Sequence, residues 1–82
     1  MYTVFFERLN GLNGEYVRIG ETDTPDNAMR DCISQFLAER GYRPPYVRTW
    51  ACGENLEGRK FDVGSHTEFF VVLPEDYNER KE

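Results

Sequence analysis

Hydrophobic and polar positions along this chain follow two different periods. Met29, Cys32, Ile33, Phe36 and Leu37 stand at i, i+3, i+4, i+7 and i+8, which places them on one stripe of a helix. Asp26, Asn27, Arg30, Asp31, Ser34, Gln35 and Glu39 take the opposite side. Local signals agree with a helix over 24–40. The Thr24 hydroxyl is suited to cap the first turn, Pro25 suits the first helical position, and Asp26 meets the positive end of the dipole. Arg40 suits the negative end, and Gly41 can take a left-handed stop. Such a helix is about 24 Å long, close to the roughly 23 Å of a seven-residue strand.

Elsewhere the period is two. Residues 2–9 (YTVFFERL) and 15–20 (EYVRIG) read as strands. The turn pairs Asn10-Gly11 and Asn13-Gly14 between them predict a hairpin. After the helix, Pro44-Pro45 forces an extended connector. Residues 46–52 (YVRTWAC) read as a third strand and 69–73, closed by Pro74, as a fourth. Residues 53–60 read as a polar loop. Residues 61–66 are either a short extra strand turning at Gly64 or the bulged start of the last one. The expectation is an α+β domain over 1–74. It has a single sheet of about four strands, one helix packed on one face, and the order strand-strand-helix-strand-strand. An acidic tail, 75–82, with Tyr77 as its one apolar anchor, is expected to fray. The strand order is left open.

One helix is about 10 Å wide, whereas four strands span some 15 to 19 Å. One face of the sheet is therefore bare. Alternation assigns Val4, Phe6, Val17, Ile19, Val71 and Leu73 to the helix side. Phe5, Tyr16, Arg18, Tyr46, Arg48, Trp50, Phe70 and Val72 then share the other side with Glu7 and Glu68. Aromatic residues with Arg are the make-up of interface hot spots. Phe5, Tyr16, Arg18, Tyr46, Arg48, Trp50 and Phe70 are accordingly the candidate interface. The competing possibility is that the strands twist and these aromatics are core.

Composition narrows the partner. Among 82 residues there are 15 carboxylates against 10 cations, for a net charge of −5, and eight of the ten cations are Arg. Phosphate backbones and anionic lipid repel such a chain, and no apolar run approaches the ~20 residues of a membrane span. The start, MYTVFFERL, lacks a basic segment and meets charge at Glu7. With Cys32 and Cys52 read as buried free thiols, the expected setting is a reducing cytoplasm.

Candidate chemistry is thin. Asp62, Ser65 and His66 suggest a hydrolase, but neighbours in a turning chain point apart, and no Gly-x-Ser-x-Gly elbow is present. Cys52, His66 and Asp62 lack metal-ligand spacing. GRKFDVG at 58–64 lacks the ending of a P-loop. No catalytic residue, metal or cofactor is expected. Arg40, Arg43 and Arg48 interleave with Tyr42, Tyr46 and Trp50, a pattern that can stack single-stranded bases. An open aromatic sheet is superficially similar to RNA-recognition domains. That family has two helices, however, and its third-strand aromatic signature is absent from YVRTWAC. Conversely, Glu21, Asp23, Asp26, Asp31 and Glu39 can present an acidic face to a basic protein cleft, as a nucleic-acid mimic does. The leading expectation is a non-enzymatic interaction domain that pairs with itself or another protein through its aromatic sheet face. The alternatives are an acidic binder of a basic cleft and a single-stranded nucleic-acid binder.

Overall fold

The computed structural model describes residues 1–9 and 14–75. The turn pairs at 10–13 and the acidic tail beyond Glu75 lie outside the described residues. Five strands form one antiparallel sheet: β1 (Tyr2–Arg8), β2 (Glu15–Thr22), β3 (Arg48–Cys52), β4 (Gly58–Asp62) and β5 (Glu68–Pro74). Their spatial order is β2-β1-β5-β4-β3. The single-sheet α+β architecture is as expected, but the sheet has five strands rather than four. The additional one, β4, occupies the end of the expected polar loop and the start of the ambiguous 61–66 stretch. Its Arg59 and Lys60 hide it. Successive side chains in a strand point to opposite faces, and each cation finds an anion there: Arg59 lies 3.1 Å from Asp26, and Lys60 lies 3.1 Å from Glu7. β3 begins at Arg48, so Tyr46 and Val47 precede it.

The helical segment spans 25–39 as expected but is not uniformly α. A 3-10 turn (Pro25–Asn27) leads to a π-helical turn (Met29–Ile33) and then to α1 (Ser34–Glu39). The π turn has a packing cause. Ala28 and Ile33 are both fully buried, yet five residues are about 140° apart on an α-helix. The wider turn, closed by the Ser34 N–H donating to the Met29 carbonyl, swings both toward the sheet. Thr24 sits at the N-cap, but its side chain makes no capping bond. The nearby hydroxyl that bonds is that of Thr22, 2.7 Å from Asp31 Oδ2 and 3.1 Å from the Thr24 carbonyl. It has one proton, and the shorter, charged acceptor is the better one. The C-terminus follows expectation. Gly41, at φ 71°, donates to the Ala38 carbonyl and Tyr42 to the Leu37 carbonyl, which is a Schellman stop.

The core lies between this helix and one face of the sheet. Val4, Phe6, Phe61, Val63, Phe70 and Val72 meet Ala28, Ile33 and Leu37 there. Phe6, Phe36 and Phe70 pack as a ring cluster with centroids 5.0 to 5.6 Å apart. The β1–β2 register shifts between Val4 and Phe5. Gly20 then faces the helix at close quarters, where a Cβ would lie 2.8 Å from Cys32 Sγ.

Candidate functional site

The second face of the sheet carries no other described element. Register defines it in rows, because directly paired residues share a face. One row runs Arg18, Phe5, Val71, Lys60, Trp50, and the next runs Tyr16, Glu7, Phe69, Asp62, Arg48. Five expected interface residues, Phe5, Tyr16, Arg18, Arg48 and Trp50, therefore do share this face. Phe5 and Tyr16 stack, with centroids 4.6 Å apart. Trp50, at the far edge, is 43 % exposed.

Phe70 requires correction. It is fully buried on the helix face, together with Val72. Glu68 shares that side, 3.5 Å from Arg40. Phe69, Val71 and Leu73 take the places expected of Phe70 and Val72, so the whole of β5 is rotated by one residue from the expected phase. Tyr46 is exposed before β3 begins, and the Arg48 guanidinium lies 5.2 Å from its ring centroid. Phe69 and Lys60 belong to the face but were missed. The Lys60 ammonium stands 4.8 Å from the Phe69 ring, within cation–π range. The alternation of Lys60 with Asp62 was the available signal, masked by the loop-like composition around it.

The charges on this face are paired within the chain. Arg18 lies 2.6 Å from Glu21, Lys60 lies 3.1 Å from Glu7, and Arg48 lies 2.8 Å from Asp62. The first pair is exposed and worth little. Glu7 Oε1 is buried, and the ammonium beside it is at ion-pair distance without hydrogen-bond alignment. We regard this as a Coulomb contact. The Arg48 hydrogen bond, followed by that from the Gly64 N–H, holds the Asp62 carboxyl below its ordinary value. Both thiols are free, but they are partly exposed rather than buried as expected; partial burial raises the Cys52 thiol, and partial burial with the Asp31 charge raises Cys32, so both favour the unreactive neutral form.

The other candidate constellations do not assemble as drawn from the sequence. Asp62 accepts from Arg48 and the Gly64 N–H, and Ser65 Oγ accepts from the Thr67 N–H. Neither contact is a link of a Ser-His-Asp relay. Among the described residues no group of three or more His, Cys, Asp and Glu side chains is placed to hold a metal. Arg40 stacks on Phe6 and Phe36 at the helix side, whereas Arg48 is on the opposite face, so the two do not form one base-stacking patch. Of the acidic residues on or before the helix, Glu21, Asp26 and Asp31 each have an Arg within 3.1 Å. A shallow hollow of about 390 Å³ at the helix end, lined by residues including Leu37, Tyr42, Arg43 and Pro44, brings together no reactive groups. Among the described residues no helix is long and apolar enough to cross a membrane. Compared with known proteins, the chain matches no family model, no curated protein and no solved structure.

Proposed function

We propose that this domain is a non-catalytic interaction module that associates, with itself first, through the uncovered face of its sheet. The observation that carries this reading is the combination of aromatic exposure and internal charge pairing on that face. The chain as a whole has a net charge of −5, so two copies repel at long range. On this face Arg18, Lys60 and Arg48 are balanced by Glu21, Glu7 and Asp62, so a second copy meets no excess of like charge. Phe5, Tyr16 and Trp50 supply rigid contact area. The strands run from five to eight residues, so the face is roughly 20 by 17 to 26 Å in plan, about 900 Å² for two copies together, which makes full coverage a small interface.

The acidic-cleft alternative is weakened by the Arg partners of Glu21, Asp26 and Asp31. The nucleic-acid alternative is weakened by the separation of Arg40 from Arg48. The test is light scattering over a concentration series at low and high salt, with wild type beside the Phe5→Ser/Tyr16→Ser variant. The expected mass climbs toward twice 9.6 kDa, survives salt, and falls in the variant. A folded variant that associates as wild type does, and loses no partner, refutes the reading.

A further inference from the structure

We propose that the outer edge of β3 pairs antiparallel with the same edge of a second copy, about a twofold axis at Trp50. Two five-stranded sheets then become one sheet of ten. This does not depend on what meets the uncovered face.

A sheet edge offers a row of backbone donors and acceptors to any extended chain, and proteins guard such edges with charge, bulges or proline. The two edges here differ. β2 is interrupted by the register shift opposite Val4 and Phe5 and carries Glu15, Arg18 and Glu21. β3 pairs with β4 in unbroken register from Arg48 to Cys52. It contains no proline or lysine, and its one charge, Arg48, is held by Asp62 at 2.8 Å. No described backbone hydrogen bond from another element reaches its outer side. Among the described residues, four of the eight large apolar side chains left exposed, Tyr46, Val47, Trp50 and Leu56, stand on β3 or beside it.

The strand is also complementary to itself. With the axis at Trp50, Arg48 meets Cys52 of the second copy, Thr49 meets its Ala51, and the two Trp50 side chains meet on the uncovered face. No charge meets its like, and a directly opposed aromatic pair is a favoured cross-strand contact. A register centred on Arg48 would instead set two guanidiniums side by side. The shared edge is short, about 17 Å, and buries less than the ~1,200 Å² of a standard interface. Pairing is therefore concentration-dependent rather than obligate.

A charge swap reads out the register. Thr49→Glu/Ala51→Glu places glutamates opposite each other across the proposed pair. Thr49→Lys/Ala51→Glu places lysine opposite glutamate. Both lose the Thr49 hydroxyl bonds to the Lys60 carbonyl and from Arg59 Nη1, and in both the Ala51→Glu carboxylate stands opposite Arg59 within the chain; residue 49 sets a carboxylate beside Arg59 in one and an ammonium in the other, so each fold is verified before its mass is read. Far-UV circular dichroism checks this. Light scattering runs from roughly 10 µM to 1 mM, the range suited to a small interface. All three forms are read in the Phe5→Ser/Tyr16→Ser background, which removes the face contact: there the parent mass should rise from 9.6 kDa toward twice that value, the Glu/Glu variant should remain monomeric, and the Lys/Glu variant should associate again. A monomeric wild type overturns the edge pairing while leaving the face open to a foreign partner. In that background, a Glu/Glu variant that associates like its parent, or a Lys/Glu variant that stays monomeric, overturns it too. A Phe5→Ser/Tyr16→Ser protein that stays monomeric where wild type associates assigns the contact to the face and removes the edge.

Discussion

Phe69 and Phe70 are chemically identical neighbours on opposite faces of the central strand, and truncating each in turn tests the phase of β5. Phe70 is fully buried, 5.5 Å from the Phe6 ring and 5.6 Å from Phe36. Its replacement by Ala removes a ring from the centre of the core and leaves a cavity, a loss of about 3–5 kcal/mol. Phe69 is partly exposed, with the Lys60 ammonium over its ring. Its loss should cost about half as much, roughly 1.5–2.5 kcal/mol, including the cation–π contact. A chain of this size has a total stability of about 4–12 kcal/mol. Phe70→Ala therefore consumes at least about a quarter of the margin and at the low end all of it, and Phe69→Ala about half as much. Urea unfolding followed by Trp50 fluorescence measures both. With an m-value of about 1 kcal/mol/M, the midpoint should fall by about 3–5 M for Phe70→Ala and about 2 M for Phe69→Ala. Equal shifts, or a larger shift for Phe69, would refute the assignment of faces and with it the composition of the uncovered face.

Acid should weaken the fold through Asp62. Its folded carboxyl is held below the unfolded value by Arg48 and the Gly64 N–H, so its contribution is present above the ordinary carboxylate range and is lost as pH falls through the lowered value. From about pH 5 to about pH 2, the urea midpoint of wild type should drop more steeply than that of Asp62→Asn, and parallel slopes would count against this role. At Gly58 a Cβ would clash with the Val72 carbonyl oxygen and lie 2.8 Å from Leu73 Cδ2, so Gly58→Ala should cost about 1–3 kcal/mol in the same assay. A neutral Gly58→Ala would mean that β4 and β5 are not packed this closely.

Much of the architecture is written in local pattern. The helix is legible because its stripe repeats from Met29 to Leu37 and because Gly41 stops it, and both features act within a few residues of chain. The separate strands β1 and β2 are legible for the same reason. The exact course of the helix is not. Its π turn goes with the burial of both Ala28 and Ile33 against the sheet, and no local propensity contains that demand. The phase of β5 was illegible for a related reason. Alternation marks a strand that has one wet face, but β5 is central, and Val71 and Leu73 are nearly as buried on one side as Phe70 and Val72 are on the other. A continuous apolar run has no phase. Of β4, the end at Phe61-Asp62 agrees with the short extra strand that turns at Gly64, one of the two readings of 61–66, but its start was concealed by two adjacent cations whose partners, Asp26 and Glu7, lie far away in the chain. The candidate face divides along the same line. Phe5, Tyr16, Arg18, Arg48 and Trp50 were placed together by alternation within strands that have a wet face, whereas Phe70 was misplaced on a strand that has none. By itself, then, the sequence determined the elements whose signals are local: an amphipathic helix, strands with a wet side, and a net negative surface. Tertiary structure alone decided the strand order, the fifth strand, and which aromatics remain outside, because each of these depends on burial and charge pairing between residues distant in the chain.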